Sequence, residues 1–327
     1  MKALVCTQHG PPSSLTWGEL DDPGIAKGAL RIGVRAAGVN FPDTLIIEGK
    51  YQFQPPIPFA PGGEVAGVVL EVGEGVEGYA VGDRVMALTG WSGFAEQVVA
   101  PAFKCFRIPD GMDYATASAF GMTYGTSIYA LVQRGGLQPG ETLLVHGASG
   151  GVGTAAIQIG QAMGATVIAS TGTPAKRDAL RDTFGVEHVV DTRGETALKD
   201  AVKGVTGGRG ADVIFDPVGG DVFEQSLRCV NWGGRILVIG FASGTIPAAK
   251  ANLMLLKGSA VVGVFWGAFT MKEADANAKN FEQLFAWYEQ GKLTPHISHQ
   301  FPMAEGAKAL DALINREVIG KAVLTLD

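Results

Sequence analysis

Residues Glu141 to Met163 read ETLLVHGASGGVGTAAIQIGQAM: an apolar strand, a glycine-rich turn and, with no linker, an amphipathic helix. This order of elements is what a dinucleotide pyrophosphate requires. Ser149, Gly150, Gly151, Val152 and Gly153 form the turn. Its glycines omit the side chains that would hold a phosphate away from the backbone, and the helix that follows directs unpaired amides and its positive dipole end toward the anion. Glycine-rich turns occur in many loops; the preceding strand and following helix make this one specific. The reading is a cofactor turn for a nicotinamide dinucleotide, against the plainer alternative of a tight strand-to-helix connection.

Working outward, the chain has 327 residues, 46% of them hydrophobic and 18% charged, with 47 glycines. That composition describes a packed globular protein rich in tight turns, long enough for two domains. The net charge is −6, without a block of like charges, so nothing marks a nucleic-acid or anionic-membrane surface. Cys6, Cys105 and Cys229 are odd in number and widely spaced, which points to reduced thiols rather than a disulfide framework or a CxxC site. The N-terminal MKALVCTQHGPP lacks a signal-peptide core, and no window approaches about eighteen uninterrupted apolar residues. The expectation is a soluble, cytoplasmic protein that does not bind membranes.

Before about Pro109, short β-branched runs such as LRIGVRAAGV, EVAGVVLEV and DRVMALTG are broken by Gly and Pro, the texture of a mainly antiparallel β domain. After Tyr114 strands and helices alternate, and strands apolar at nearly every position predict a parallel sheet covered on both faces. The fold class is therefore α/β, a Rossmann-type doubly wound sheet inserted into a mainly β domain. The expected boundaries are 1–119 for the first β segment, 120–264 for the cofactor domain and 265–327 for the return to the β domain. A helical stretch from Met271 to Glu289 and the terminal KAVLTLD strand have no place in a six-stranded doubly wound sheet, hence the assigned return.

About twenty residues beyond the glycines, enzymes that use NAD place an acid on the adenosine ribose. Here the sequence is IASTGTPAKRD. Ser170 and Thr171 replace the acid, and Lys176 and Arg177 follow, so a 2′-phosphate meets cations instead of a repelling carboxylate. NADPH is the expected cofactor; the alternative is that Lys176 and Arg177 are ordinary solvated residues of a first helical turn.

The segments AGVNFPDTLIIEGKY, PGGEVAGVV, VGDRV, GFAEQVV, TYGTSIYAL, HGASGGVG, DPVGGDVF, GGRILVIGF and GKAVLTL, in this order, resemble the zinc-free quinone oxidoreductases of the medium-chain dehydrogenase/reductase superfamily. The resemblance covers essentially the whole chain. It implies a GroES-like β domain beside the Rossmann domain, NADPH as hydride donor, a small quinone or enone as substrate, and a homodimer paired along the strand near SAVVGV. Zinc-dependent members carry Cys where this chain has Asn40, Gly-His-Glu where it has Gly62-Gly63-Glu64, and a further Cys near Met122. The lobe of four cysteines for a structural zinc is also missing, and the five histidines do not assemble a substitute, so no metal site is expected. Relatives often carry a Tyr after the third strand; Arg193 is the expected replacement at the 2′-phosphate.

By the same resemblance the nicotinamide lies in the cleft between the domains, near Thr126, Phe241, Phe265 and Trp266, with Lys321 near the cofactor phosphates. Any of these aromatics could equally be core. Asn40, Asp43 and Tyr51 resemble the polar residues around the substrate. Hydride transfer to a conjugated acceptor places negative charge on a carbonyl oxygen, which a neutral donor such as Asn40 or Tyr51 would stabilise. Asp43 is expected to orient rather than to act as an acid, and the trio has an alternative as turn formers. Two other functions fit the same residues: an enoyl-CoA or alkenal reductase, for which Gly49-Lys50-Tyr51 is a relevant context, and a non-catalytic NADPH-binding protein.

Overall fold

The computed structural model describes residues 1–192 and 197–326. The chain divides into two compact units, Met1–Met122 with Pro295–Asp327, and Thr123–Thr294.

The first unit opens with the antiparallel pair β1 (Lys2–Val5) and β2 (Thr16–Glu19). There follow β3 (Ala29–Val39), α1 (Phe41–Ile47), β4 (Glu64–Val72), β5 (Arg84–Leu88), β6 (Gln97–Pro101), β7 (Cys105–Arg107) and α2 (Tyr114–Ser118). The long strand β3 supplies Leu30, Ile32, Val34 and Val39 to a core completed by Val65, Val69, Val85 and Phe94.

Most of α3 (Gly121–Ile128) belongs to the second unit, which also contains β8 (Thr142–Val145), α4 (Gly151–Ala162), β9 (Thr166–Thr171), α5 (Pro174–Asp182), β10 (His188–Asp191), α6 (Leu198–Val205), β11 (Ala211–Asp216), α7 (Gly220–Cys229), β12 (Val230–Val238), α8 (Ala251–Lys257), β13 (Ala260–Gly263), α9 (Trp266–Lys272) and α10 (Ala274–Glu289). Its six strands are all parallel, in the order β10-β9-β8-β11-β12-β13. The order reverses direction beside β8, which makes the turn after β8 the switch point where doubly wound folds bind ligands. All four residues of β8 are buried, as helices on both faces demand.

The chain then adds β14 (Ile297–Pro302), α11 (Gly306–Ile314) and β15 (Lys321–Thr325) to the first unit. These strands complete a seven-stranded sheet ordered β14-β15-β3-β4-β5-β7, with β6 also paired to β3. The sheet is antiparallel except for β14 on β15.

The α/β class with a mainly β companion unit is as the sequence predicts, but the return to the first unit comes at Pro295 rather than at residue 265. α9 and α10 stay with the second unit for a packing reason. The Trp266 ring fills the hollow left by Gly125, where a Cβ would stand 2.3 Å from the indole, and its N–H donates to Asn277 Oδ1 at 3.0 Å. Gln133 Nε2 similarly donates to Asn280 Oδ1 at 2.7 Å. Among the described residues no helix is long and apolar enough to cross a membrane.

Candidate active site

The turn after β8 is built by close backbone approach. Gly147 adopts φ +55°, and its carbonyl accepts the Gly150 N–H at 2.9 Å. A Cβ on Gly153 would stand 2.5 Å from that same carbonyl oxygen, so only glycine allows the first turn of α4 to pass so close. Further along, a Cβ on Gly160 would meet Leu143 at 2.6 Å, which is how α4 lies close against β8. Gly150 caps α4 without a side-chain bond to the first amides, and the cap position has only the Gly147 carbonyl within 4 Å of a would-be Cβ. These residues fit a pyrophosphate: an open, side-chain-free cradle over the amino end of a twelve-residue helix. Thr126 is half-buried in α3, one residue from Ser127, whose hydroxyl donates to the Val152 carbonyl at 3.0 Å and ties α3 to the first turn of α4.

The end of β9 departs from expectation at one residue. Ser170 is fully buried, and its Oγ lies 2.7 Å from His146 Nδ1, while His146 Nε2 lies 2.8 Å from Ser226 Oγ. Ser226 donates its own proton to the Val222 carbonyl, so it accepts from Nε2–H, and Nδ1 accepts from Ser170. Burial pushes His146 down to about 4, consistent with this neutral tautomer. The Ser170 hydroxyl is thus buried, linking β9 through His146 to Ser226 of α7, and is not presented to a 2′-phosphate. Thr171 ends the strand, Lys176 sits half-buried in the first turn of α5, and Arg177 pairs with Asp191 at the end of β10. Asp191, at the end of β10, therefore already has a cation. Arg193 lies outside the described residues.

Two of the three aromatics remain accessible: Phe265 is 52% exposed and Phe241 is 38% exposed. Trp266 is core, as its packing on Gly125 requires. Sequence could not separate these neighbours, because both follow the same apolar strand.

In the first unit, Asn40 follows β3 and caps α1, with Asp43 three residues on. Asp43 Oδ2 accepts the Asn40 backbone N–H at 2.7 Å, half of a capping box. Asn40 Nδ2 donates to Glu64 Oε1 at 2.8 Å and to the Gly38 carbonyl at 3.2 Å. Its Oδ1 accepts from Lys321 Nζ at 2.6 Å. Both amide hydrogens of Asn40 are therefore engaged internally, and the expected role as donor to a substrate oxygen has no hydrogen left to perform it. Lys321, expected beside cofactor phosphates, is instead buried here, donating also to Glu64 Oε1 and the Val39 carbonyl at 2.8 and 2.9 Å. Glu64 is the residue whose role the sequence reading missed; the retained Glu of a Gly-x-Glu motif, buried in an apolar strand, was the available signal.

Asp43 is 2% exposed, and burial pushes its carboxyl up to about 7 against the opposing pull of the Asn40 N–H and the Lys321 ammonium. Tyr51 is half-buried against the core; burial, then the charge of Asp43, raises its phenol above the usual range, so its O–H is retained at neutral pH. Of the Asn40, Asp43 and Tyr51 set, Tyr51 keeps its O–H outside this network, while its phenol oxygen accepts a hydrogen bond from Gln52.

Residues 26–110 match the alcohol dehydrogenase GroES-like domain model, and residues 151–287 match the zinc-binding dehydrogenase model. The quinone oxidoreductase-like protein 2 of Rattus norvegicus is 36% identical over 326 residues, covering 99% of this chain and 92% of the rat protein. This chain belongs to the zinc-free quinone oxidoreductase family of the medium-chain dehydrogenase/reductases. A mycobacterial protein solved in complex with NADPH superposes with a TM-score of 0.92 at 29% identity, covering all of both chains. The CurK enoyl reductase superposes with a TM-score of 0.89 at 26% identity, covering 100% of this chain and 99% of that one.

As a member of this family the protein is an oxidoreductase with a nicotinamide-binding domain. The positions that hold catalytic zinc in zinc-dependent relatives carry other groups in this oxidoreductase. Asn40 is committed to Lys321 and Glu64, and the Met122 methyl lies 2.8 Å from where a Cβ on Gly63 would stand, filling the room beside that glycine. Among the described residues no group of three or more His, Cys, Asp or Glu side chains could hold a metal ion.

Proposed function

We propose that this oxidoreductase is a zinc-independent, NADPH-dependent reductase of quinones and related α,β-unsaturated carbonyls. The observation that carries the reading is the Asn40–Asp43–Tyr51 cluster, in which the carboxamide is locked and Tyr51 keeps its O–H for a substrate oxygen. NADPH is favoured over NADH by Lys176 and by the neutralisation of Asp191 by Arg177. When bound, the cofactor supplies a hydride with its electron pair. The chain holds the pyrophosphate at Gly150–Gly153, donates the Tyr51 hydrogen to the acceptor's carbonyl oxygen as that oxygen becomes negative, and so stabilises the charge without a Lewis acid. The residue types at Asn40, Gly63 and Met122 support the zinc-independent form. A quinone needs little of this help, because solvent protonates the reduced ring; an enone needs more.

The test is loss of reduced-nicotinamide absorbance, with NADPH and NADH, against a quinone, an enone and a crotonyl thioester, in chelator-treated and zinc-supplemented protein. Turnover of a quinone or enone with NADPH, indifferent to chelation, is expected; tight cofactor binding without turnover of any of the three sinks the reading. Preference for the thioester would move the function to an enoyl reductase, the reading favoured by the likeness to CurK. A homodimer paired along β13, the edge strand of the parallel sheet, and a cytoplasmic location belong to the same proposal.

A further inference from the structure

Glu64 and Lys321 stand on strands that flank β3 from opposite sides, and they meet where β3 ends. β4 sets Glu64 opposite Gly38, and β15 sets Ala322 opposite Val39, which brings the preceding Lys321 to the same strand end. The meeting needs glycine at position 38: a Cβ there would stand 2.5 Å from Glu64 Oε1 and 2.1 Å from the Ser118 carbonyl oxygen. The polar atoms of the cluster are then all matched. Lys321 Nζ has three oxygen partners for its three hydrogens, Val39 O, Asn40 Oδ1 and Glu64 Oε1. Glu64 Oε2 accepts the Met122 N–H at 2.8 Å. The ammonium must face the carboxamide oxygen and the carboxylate must face its NH2, so only one orientation of Asn40 satisfies both.

We propose that Lys321 is a positioning residue of the reaction site: its ammonium, clamped by Glu64 and the Val39 carbonyl, fixes the Asn40 carboxamide at the cap of the helix that carries Asp43. This rests on the reading above that Tyr51 serves the reduction, with Asn40 and Asp43 ordering the helix that leads to it. The couple also sets the charge around Asp43, which is faced by Lys321 from β15, Glu64 from β4 and Tyr51 from the segment after α1. The ammonium favours the ionised Asp43 carboxyl and the Glu64 carboxylate favours the neutral one. Lys321 is thereby removed from the cofactor phosphates and given to the substrate end of the reaction.

The experiment compares full-length K321M, E64Q and the E64Q/K321M pair with the parent. Titration of 13C-labelled Asp carboxyls, with the Asp43 signal assigned by its loss in D43N, is expected to show the midpoint rising in K321M and falling in E64Q. Shifts of one sign, or none, overturn the proposal, since a merely structural defect has no reason to act in opposite directions. With NADPH and a quinone or enone, kcat is expected to fall at least about tenfold in K321M and in the pair, while the Kd for NADPH stays within about twofold. A weakened Kd with unchanged kcat overturns it in favour of a phosphate contact. Where the single variants fail to fold, the pair removes both charges together, and the Asn40 side-chain amide protons should lose their protection from exchange in it; retained protection overturns the proposal. Absence of turnover in the parent would refute the reductase reading, while the carboxyl shifts would still decide this one.

Discussion

Lys321 Nζ lies 2.8 Å from Glu64 Oε1, with the two side chains 6% and 2% exposed. A buried ion pair of this kind contributes little net stability over an apolar pair, but removing one partner costs about 3–5 kcal/mol because the other charge is left uncompensated. It joins the last strand of the chain to the strand that follows the first helix, so both ends of the sequence must be in place before Asn40 and Asp43 are positioned.

Replacing Tyr51 with Phe tests the assignment of the substrate donor. With a conjugated enone, kcat should fall by about 10²-fold or more, the range of a lost general acid. Quinone reduction should change far less, because water protonates the product. Equal losses on both substrates in steady-state assays would place Tyr51 in a structural role.

Asp43 links protonation to folding. Its folded-state pKa is raised, to about 7 against an ordinary value of 3.8. A raised acid adds stability that is fully present below the unfolded value and is lost as pH rises through the folded one. The parent should therefore lose stability relative to D43N as pH rises from 4 to about 7, measured by urea denaturation at successive pH values. A difference that grows in the opposite direction would contradict the burial of the carboxyl.

Gly153→Ala inserts a methyl 2.5 Å from the Gly147 carbonyl oxygen and 2.8 Å from the Ala148 Cα, both backbone atoms that cannot swing aside. The turn must open, and calorimetry should show NADPH binding weakened at least about tenfold, or stability lowered by about 1–3 kcal/mol, the usual cost of overpacking. Unaltered binding and melting together would contradict the close approach.

Cofactor preference should respond to Lys176 rather than to Ser170. K176E is expected to reduce the preference for NADPH over NADH by roughly tenfold or more, the scale of one charge-assisted contact. Ser170→Asp would place a carboxylate beside buried His146 and is expected to abolish folding instead of switching cofactor, read by circular dichroism.

Trp266→Phe separates core from cofactor contact. Loss of the indole N–H bond to Asn277 leaves a buried acceptor unpaired and should cost about 1–3 kcal/mol. The Kd for NADPH should stay constant; a large change in Kd with unchanged melting would return Trp266 to the nicotinamide.

How much of this was legible in the residues differs from element to element. β8, the turn and α4 could be read directly, because a strand, a glycine cradle and a helix amino end are contiguous and each has its own local pattern. The domain return could not: the apolar periodicity of α10 says that one face is buried but not against which sheet, and the deciding contact is between Trp266 and Gly125, more than a hundred residues apart. Ser170 and Lys321 show the same limit. A serine at the end of a strand alternates between two faces, and the face Ser170 takes is set by His146 and Ser226 on neighbouring elements. A lysine in a terminal strand reads as a solvent or phosphate contact until a buried carboxylate is found across the sheet.

Local order of elements, charge balance, the dinucleotide turn and family membership were thus already contained in the linear chain, since each depends on neighbours in sequence. Hydrogen-bond allegiance was decided only by folding. The strand order β15-β3-β4 brings positions 321, 40 and 64 together around a glycine, and which donors are consumed and which remain for chemistry follows from that convergence.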